Sequence, residues 1–267
     1  MARRPLSDLC NATCADQRWW TCIEPRNHDG LHLTRLDGHE HLWYTDARPL
    51  CLDLFCGAGG SAKGYADKGY RVIGVDTDPL MLKRYPYEGY LEDAVAVLSF
   101  LCNGHSWQGY KLSDFALVHA SPPCEAYSAT ARIGNSNATM LIAETRRRLA
   151  RLGRPYVIEN VPGARDHMLN PVTLCGGMFP ELQVYRHRLF EASFNVPQRP
   201  HQPHWAKQPK MGRPVERGEF IQVVGHFANA DYAREAMGIC WMGRDQLKEA
   251  VPPAYTRYIA HFAPNTC

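Results

Sequence analysis

The segment Leu52-Asp53-Leu54-Phe55-Cys56-Gly57-Ala58-Gly59-Gly60 constrains this chain more than any other. Leu50–Phe55 has the apolar character of a buried strand, and from about Ser61 to Lys68 the pattern turns helical, with glycines between. Glycine lets the main chain approach a ligand where a side chain would collide. A second strand pattern, Tyr70–Asp76, ends on a carboxylate about 20 residues further on, where acidic residues often hold ribose hydroxyls. Gly57, Gly59 and Ala62 also satisfy G-x-G-x-x-G/A, so a nicotinamide or flavin dinucleotide competes for the same loop. A tight strand–helix turn holding nothing is the plainer alternative.

The rest of 50–194 continues in the same idiom. Phe115–Ala120 and Tyr156–Val161 are near-continuous apolar runs, suited to strands covered on both faces, and Pro79–Arg84 and Thr139–Leu152 read as helices. The expected fold class is therefore α/β, a doubly wound, mostly parallel sheet. Composition divides the 267 residues further. Residues 1–48 are rich in Cys, His, Trp and Arg without a sustained period, and 49–194 form the core. Residues 195–229 form a short basic segment whose part Asn195–Gly218 holds five prolines, five Lys/Arg, two histidines and Trp205. Within 195–229 a further strand is expected over Phe220–Val224. Residues 230–267 look helical over 230–249 and again from Pro252-Pro253 to about Phe262.

Charge and cysteine usage bound the setting. Thirty Lys+Arg against 27 Asp+Glu give only +3, so any nucleic-acid surface must be local. The longest apolar run, Ala94–Cys102, is far short of the roughly 20 residues that span a bilayer. Met1-Ala2-Arg3-Arg4 starts like a signal peptide but no apolar stretch follows, so a soluble, cytoplasmic chain with no membrane association is expected. In that setting ten cysteines point to thiol chemistry or metal rather than disulfides, and the sequons at Asn11 and Asn137 stay unglycosylated.

Three elements carry chemistry. Cys124 follows Ser121-Pro122-Pro123 at the end of the Phe115–Ala120 strand, where α/β sheets place ligands. The prolines fix where its thiol points; otherwise a free cysteine is a small buried hydrophobe. Glu159 leaves the apolar run Tyr156-Val157-Ile158, where a carboxylate needs a ligand or a partner such as an arginine. Arg186 and Arg188 flank His187 in a β-like run, Val184–Asn195, whose alternation sends both to one face. Paired guanidiniums suit a phosphate, a sugar or a base carbonyl, although many such pairs are simply solvated.

Taken in order, "DLFCGAGG", "SPPCEAYS", "IENV" and "YRHR" resemble the motif set of the DNA (cytosine-5) methyltransferases, in particular their compact phage and actinobacterial forms. The resemblance covers about residues 50–194 and returns in "YAREAMG" and "AVPPAYTRYIA" near the C-terminus. It implies S-adenosyl-methionine as cofactor, DNA as partner and no obligate protein partner. It also implies that Gly57, Gly59 and Gly60 form the cofactor loop, with Phe55 against the adenine, Asp76 on the ribose and Asp93 on the adenine amino group. Cys124 would be the nucleophile, Glu159 would hydrogen-bond the base edge, Arg188 would hold the base or its sugar, and Arg186 would position the Cys124 loop. A base inside a duplex hides its reactive carbons, so the target must be flipped out or single-stranded. Methylation would serve restriction–modification, self-protection or another end. RNA as substrate, and a catalytically silent DNA-binding protein keeping the fold, remain open readings.

The chain also departs from that pattern. Glu125 stands where the family usually has glutamine, Lys248-Glu249 where it commonly has Gly-Asn, and Val184 where a glutamine precedes the arginine pair. Only 43 residues separate Phe190 from Arg234, so the recognition region is short. Arg199, Trp205, Lys207, Lys210 and Arg213 are its candidates for contact with nucleic acid. In the N-terminal part, Cys10, Cys14, Cys22, His28 and His32 offer sulfur and imidazole for one structural zinc, with a loosely packed arm as the alternative.

Overall fold

The computed structural model describes residues 31–36, 39–44, 48–127, 139–209, 213, 215–216, 218–225 and 227–264. The chain divides into two compact units, Met1–Arg48 and Pro49–Cys267. In the first, β1 (Leu31–Leu36) and β2 (His39–Tyr44) pair antiparallel, with Leu31 opposite Tyr44 and Leu36 opposite His39. This hairpin was not expected from the sequence. Polar residues fill much of both strands, so their alternation is too broken to read.

The second unit is built on a seven-stranded sheet. In chain order come β3 (Leu50–Leu54), α1 (Gly60–Ala66), β4 (Arg71–Asp76), α2 (Pro79–Leu82), β5 (Glu88–Leu91) and α3 (Ala94–Cys102). Then follow β6 (Phe115–Ala120), α4 (Ile142–Leu152), β7 (Tyr156–Asn160), β8 (Val172–Leu174) and β9 (Arg188–Ala192). Helices α5 (Ala230–Met237), α6 (Arg244–Glu249) and α7 (Pro253–Ala260) complete it. The strand order is β5-β4-β3-β6-β7-β9-β8, parallel throughout except for β9, which runs antiparallel to both of its neighbours. The doubly wound, mostly parallel α/β architecture read from the sequence is the one observed.

Alternate strand residues face opposite layers. Cys51, Val72, Leu117 and Val157 join one core with Ala62 and Tyr65 of α1, Ala236 of α5 and Tyr255 of α7. Leu52, Ile73, Val118 and Ile158 join the other, against Val97 and Leu98 of α3 and Leu149 of α4. Helix α4 buries Ile142, Thr145, Leu149 and Leu152, a stripe at helical spacing, and stops at Gly153 in the left-handed region. Helix α1 can approach α7 only because Gly64 has no side chain. A Cβ there would stand 2.1 Å from Thr256 Oγ1 and 2.2 Å from the Pro253 carbonyl.

Some expectations are corrected. The helical pattern over 230–249 is two helices, because Gly238 closes α5 with a left-handed φ of 68°. The β-like run Val184–Asn195 is a strand only over Arg188–Ala192, and Phe220–Val224 is irregular, keeping one bridge between Ile221 and Val184. Helix α3 was not anticipated as an element. As expected, Asn195–Gly218 contains neither helix nor strand among its described residues, and none of the described helices is long and apolar enough to cross a membrane.

Asp53 is fully buried in β3, where Tyr85 donates a 3.3 Å hydrogen bond to Oδ2 and Oδ1 has no partner. Burial pushes its carboxyl up to about 8, with the Asp76 charge adding and the Tyr85 hydrogen bond opposing. A raised folded value means that the stability of the protonated form is complete below the ordinary carboxylate range. It is lost as pH climbs toward about 8, at about 1.4 kcal/mol per pH unit. Asp53→Asn should therefore raise the melting temperature at pH 8, with the gain fading toward pH 4. Calorimetry showing an equal difference at both pH values would refute a neutral Asp53.

Candidate functional site

The sheet order reverses between β3 and β6, and a crevice opens beyond the carboxyl ends of strands at such a switch point. The glycine loop leaves β3 and the Ser121–Cys124 turn leaves β6, so both arrive at that crevice. A cavity of about 300 Å³ lies there. Phe55, Gly57, Gly60, Asp76, Cys124, Glu159 and Arg188 all line it. The sequence-predicted cofactor loop and the sequence-predicted reactive groups thus share one space.

The loop is shaped by unusual backbone. Phe55, Gly57 and Gly59 have φ of 56°, 51° and 85°, and Phe55 is strained there because a side chain disfavours that region. The Gly57 amide donates to Asp76 Oδ2 at 2.8 Å and the Asp78 amide to Oδ1 at 2.9 Å, which orients the Asp76 carboxylate at the cavity wall. Gly59 backs onto Tyr85 and Pro86 instead, and Gly60 also packs against the Val251 main chain. Asp93 is not among the residues lining the cavity, and its Oδ1 accepts from Ala96 N at 2.7 Å as the N-cap of α3.

Glu159 and Cys124 are held by a buried polar network. Arg188 Nε stands 2.9 Å from Glu159 Oε1, without the alignment of a hydrogen bond. The Ser121 side chain hydrogen-bonds Glu159, Ser121 Oγ lies 2.9 Å from His119 Nε2, and Tyr65 Oη lies 2.9 Å from His119 Nδ1. Burial drives His119 down to about 3, so this fully buried imidazole is neutral and relays hydrogen bonds. Burial also raises the Glu159 carboxyl, with Arg188, Ser121 and Arg186 opposing. The Cys124 thiol is pushed up by burial, while Arg188 pulls it down and the Glu159 and Glu249 charges add to the rise. Asn160, itself buried, donates to the Pro122 carbonyl at 2.8 Å and so ties the Cys124 turn to β7.

The C-terminal residues complete the wall with Met242, Gln246, Glu249 and Val251. Trp241 Nε1 donates to the Ala58 carbonyl at 2.8 Å, and Thr256 Oγ1 to the Ser61 carbonyl at 2.7 Å. The role expected of Arg186 is corrected. It lies buried outside the cavity lining, and its guanidinium donates to the carbonyls of Val223, at 3.0 Å, and Lys248, rather than to the Cys124 turn. Tyr255 donates to its carbonyl at 2.6 Å. Sequence reading missed His119, Ser121 and Asn160 and named Glu249 only as a departure from the family pattern; the first three lie within or beside the quoted motifs, and for His119 a polar residue interrupting an apolar strand was the available signal.

Among the lining residues, Asp76, Asp78, Glu125, Glu159 and Glu249 face one cation, Arg188. Glu249 is raised by burial and by the neighbouring Glu125, Asp78 and Asp76 charges. Such a space favours a cationic ligand and disfavours a pyrophosphate.

The proposed nucleic-acid residues are scattered in role. Arg199 lies 4.6 Å over the Phe179 ring and 5.0 Å over Tyr258, and donates to the Met178 carbonyl. Arg213 forks onto Glu219 at 2.6 and 2.8 Å. Both guanidiniums are engaged within the fold. Trp205 is 75% exposed and Lys207 is exposed, while Lys210 lies outside the described residues. Cys10, Cys14, Cys22 and His28 also lie outside them, and of His32 only its place in β1 is described.

Comparison with known proteins bears on the fold alone. No family model matches the sequence, and no curated protein does. The Entamoeba histolytica methyltransferase EhMeth is similar with a TM-score of 0.50 at 10% identity, over 81% of this chain and 98% of that one. A SAM-dependent methyltransferase from Agrobacterium tumefaciens gives 0.35 at 14% over 62% and 71%, and the S. pombe Dnmt2 methyltransferase 0.37 at 15% over 54% and 49%. The α/β fold is thus the Rossmann-like one that it shares with EhMeth.

Asn160→Ala removes the donor to Pro122 and should lower unfolding free energy by about 1–3 kcal/mol. It should also change the alkylation rate of Cys124, read on its own peptide by mass spectrometry. Unchanged urea midpoint and unchanged alkylation would show that Asn160 does not hold the turn.

Proposed function

We propose that this chain is an S-adenosyl-methionine-dependent methyltransferase acting at C5 of cytosine in DNA. One observation carries the reading: Cys124, Glu159 and Arg188 line the same cavity as the glycine loop and Asp76. A dinucleotide enzyme has no use for that thiol and carboxyl, and its pyrophosphate would meet a wall of carboxylates.

The residues fit the cofactor. Asp76, oriented by two backbone amides, would accept from ribose hydroxyls, and Phe55 would cover the adenine. The acidic lining suits a ligand bearing a sulfonium and an ammonium. Bound there, S-adenosyl-methionine supplies an electrophilic methyl group.

Cytosine C5 is too weak a nucleophile to take that methyl unaided. Addition of the Cys124 thiolate forms an Sγ–C6 bond and moves the ring electrons onto C5. A thiol raised by burial must lose its proton as substrate arrives, and Arg188 favours the thiolate. Burial raises the Glu159 carboxyl, and on taking up a proton it would donate to N3 and accept from the N4 amino group. Arg188 holds Glu159 and reaches toward the base. After C5 gains the methyl, a base removes the C5 proton, the Sγ–C6 bond breaks and Cys124 is restored.

The test uses radiolabelled S-adenosyl-methionine with duplex DNA containing 5-fluorocytosine, where the missing C5 proton blocks release. A denaturation-resistant protein–DNA adduct is expected from the wild type, and none from Cys124→Ala. Glu159→Gln should slow adduct formation by about 10²–10³-fold, the scale of one lost electrostatic stabiliser. Methyl transfer surviving Cys124→Ala would exclude the covalent route. Single-stranded DNA and RNA in parallel assign the substrate class, and adduct confined to RNA would replace DNA in this reading.

A further inference from the structure

Outside the cavity, three histidines and a cysteine converge. Cys175 Sγ lies 3.5 Å from His204 Nε2, His204 Nε2 lies 3.3 Å from His201 Nε2, and His201 Nε2 lies 3.2 Å from His187 Nε2. All of these atoms lie within 4.8 Å of one another. We propose that Cys175, His187, His201 and His204 form a tetrahedral structural zinc site that fastens the proline-rich segment to the arginine pair.

Three of the six separations are those of edges of a coordination tetrahedron. Zinc takes imidazole nitrogen at about 2.0–2.1 Å and thiolate sulfur at about 2.3 Å, so tetrahedral neighbours stand about 3.3 Å apart for two nitrogens and about 3.6 Å for nitrogen and sulfur. The separations of 3.2, 3.3 and 3.5 Å match those edges.

Hydrogen bonding alone leaves the cluster short of partners. His201 Nε2 is within reach of two other Nε2 atoms, yet a neutral imidazole nitrogen offers either one proton or one lone pair. Protonating the rings would crowd positive charges instead. A central cation gives each lone pair the same partner.

The surroundings are built for ligation. Cys175 is buried, and the Gly177 amide hydrogen-bonds its sulfur, a contact that helps to orient it. His204 stacks on Tyr185 with ring centroids 3.7 Å apart and planes 5° from parallel, and the Tyr185 hydroxyl accepts from Ala206 N at 2.8 Å. One sulfur and three imidazoles suit zinc among the common metals, and four protein ligands leave no open position for chemistry.

The placement gives the site its purpose. His201 and His204 belong to the irregular stretch after Asn195, whereas His187 lies between Arg186 and Arg188. A shared ion therefore joins the segment bearing Trp205 to the strand that presents Arg188 to the cavity. This site uses none of the N-terminal Cys/His residues and stands whether or not the methyl-transfer reading holds.

The experiment measures zinc per chain by mass spectrometry in untagged full-length protein grown with zinc. His201→Ala and His204→Ala change exposed residues, so the fold should survive, with circular dichroism as the check. Each variant should carry one equivalent less than the wild type, a difference that any N-terminal zinc leaves untouched. Cobalt-loaded wild type should show intense visible bands and a sulfur-to-cobalt charge-transfer band, and Cys175→Ser should lose the latter's contribution from this site. Wild-type protein without zinc, or folded histidine variants retaining the wild-type content, would overturn the proposal.

Discussion

A carboxyl group shut away from water dictates how the cavity is assembled. Glu159 is 6% exposed at the end of an apolar strand, where an ion without partners would be costly. The sheet answers by laying β9 antiparallel to β7, so that Glu159 faces Phe190 and Arg188 lies two residues away on the adjoining strand. From the other side β6 brings Ser121, backed by His119 and Tyr65. Each partner lies far from Glu159 in sequence, yet together they fix one carboxyl in one orientation.

Closure of the site depends equally on distant chain. Trp241 on the Ala58 carbonyl, Thr256 on the Ser61 carbonyl and Arg186 on the Lys248 carbonyl span 183, 195 and 62 residues. The glycine loop is thus finished only when the last helices dock. Such non-local closure slows folding, because loop entropy is lost before the contacts reward it. Gly64 is what permits it, since any side chain there would hold α7 away from α1.

The strands that line the crevice were legible because they are covered on both faces. Phe115–Ala120 is buried at every position, and its near-continuous apolar run is the pattern such burial demands. The glycine loop, Cys124, Glu159 and Arg188 were readable for a related reason: backbone needs and strand ends restrict which residue can stand there. Arg186 was misread because alternation gives a face but not a partner, and its partners Val223 and Lys248 lie in irregular chain. The capping role of Asp93 was not legible, because an N-cap and a ligand contact ask for the same side chain. The gathering of His187, His201 and His204 around Cys175 was invisible, since proline-rich chain carries no period from which its path could be inferred.

The surplus of carboxylates around the cavity gives binding there a dependence on ligand charge. On the proposed reading, the same walls that draw in a sulfonium have far less hold on the uncharged thioether left once the methyl has gone.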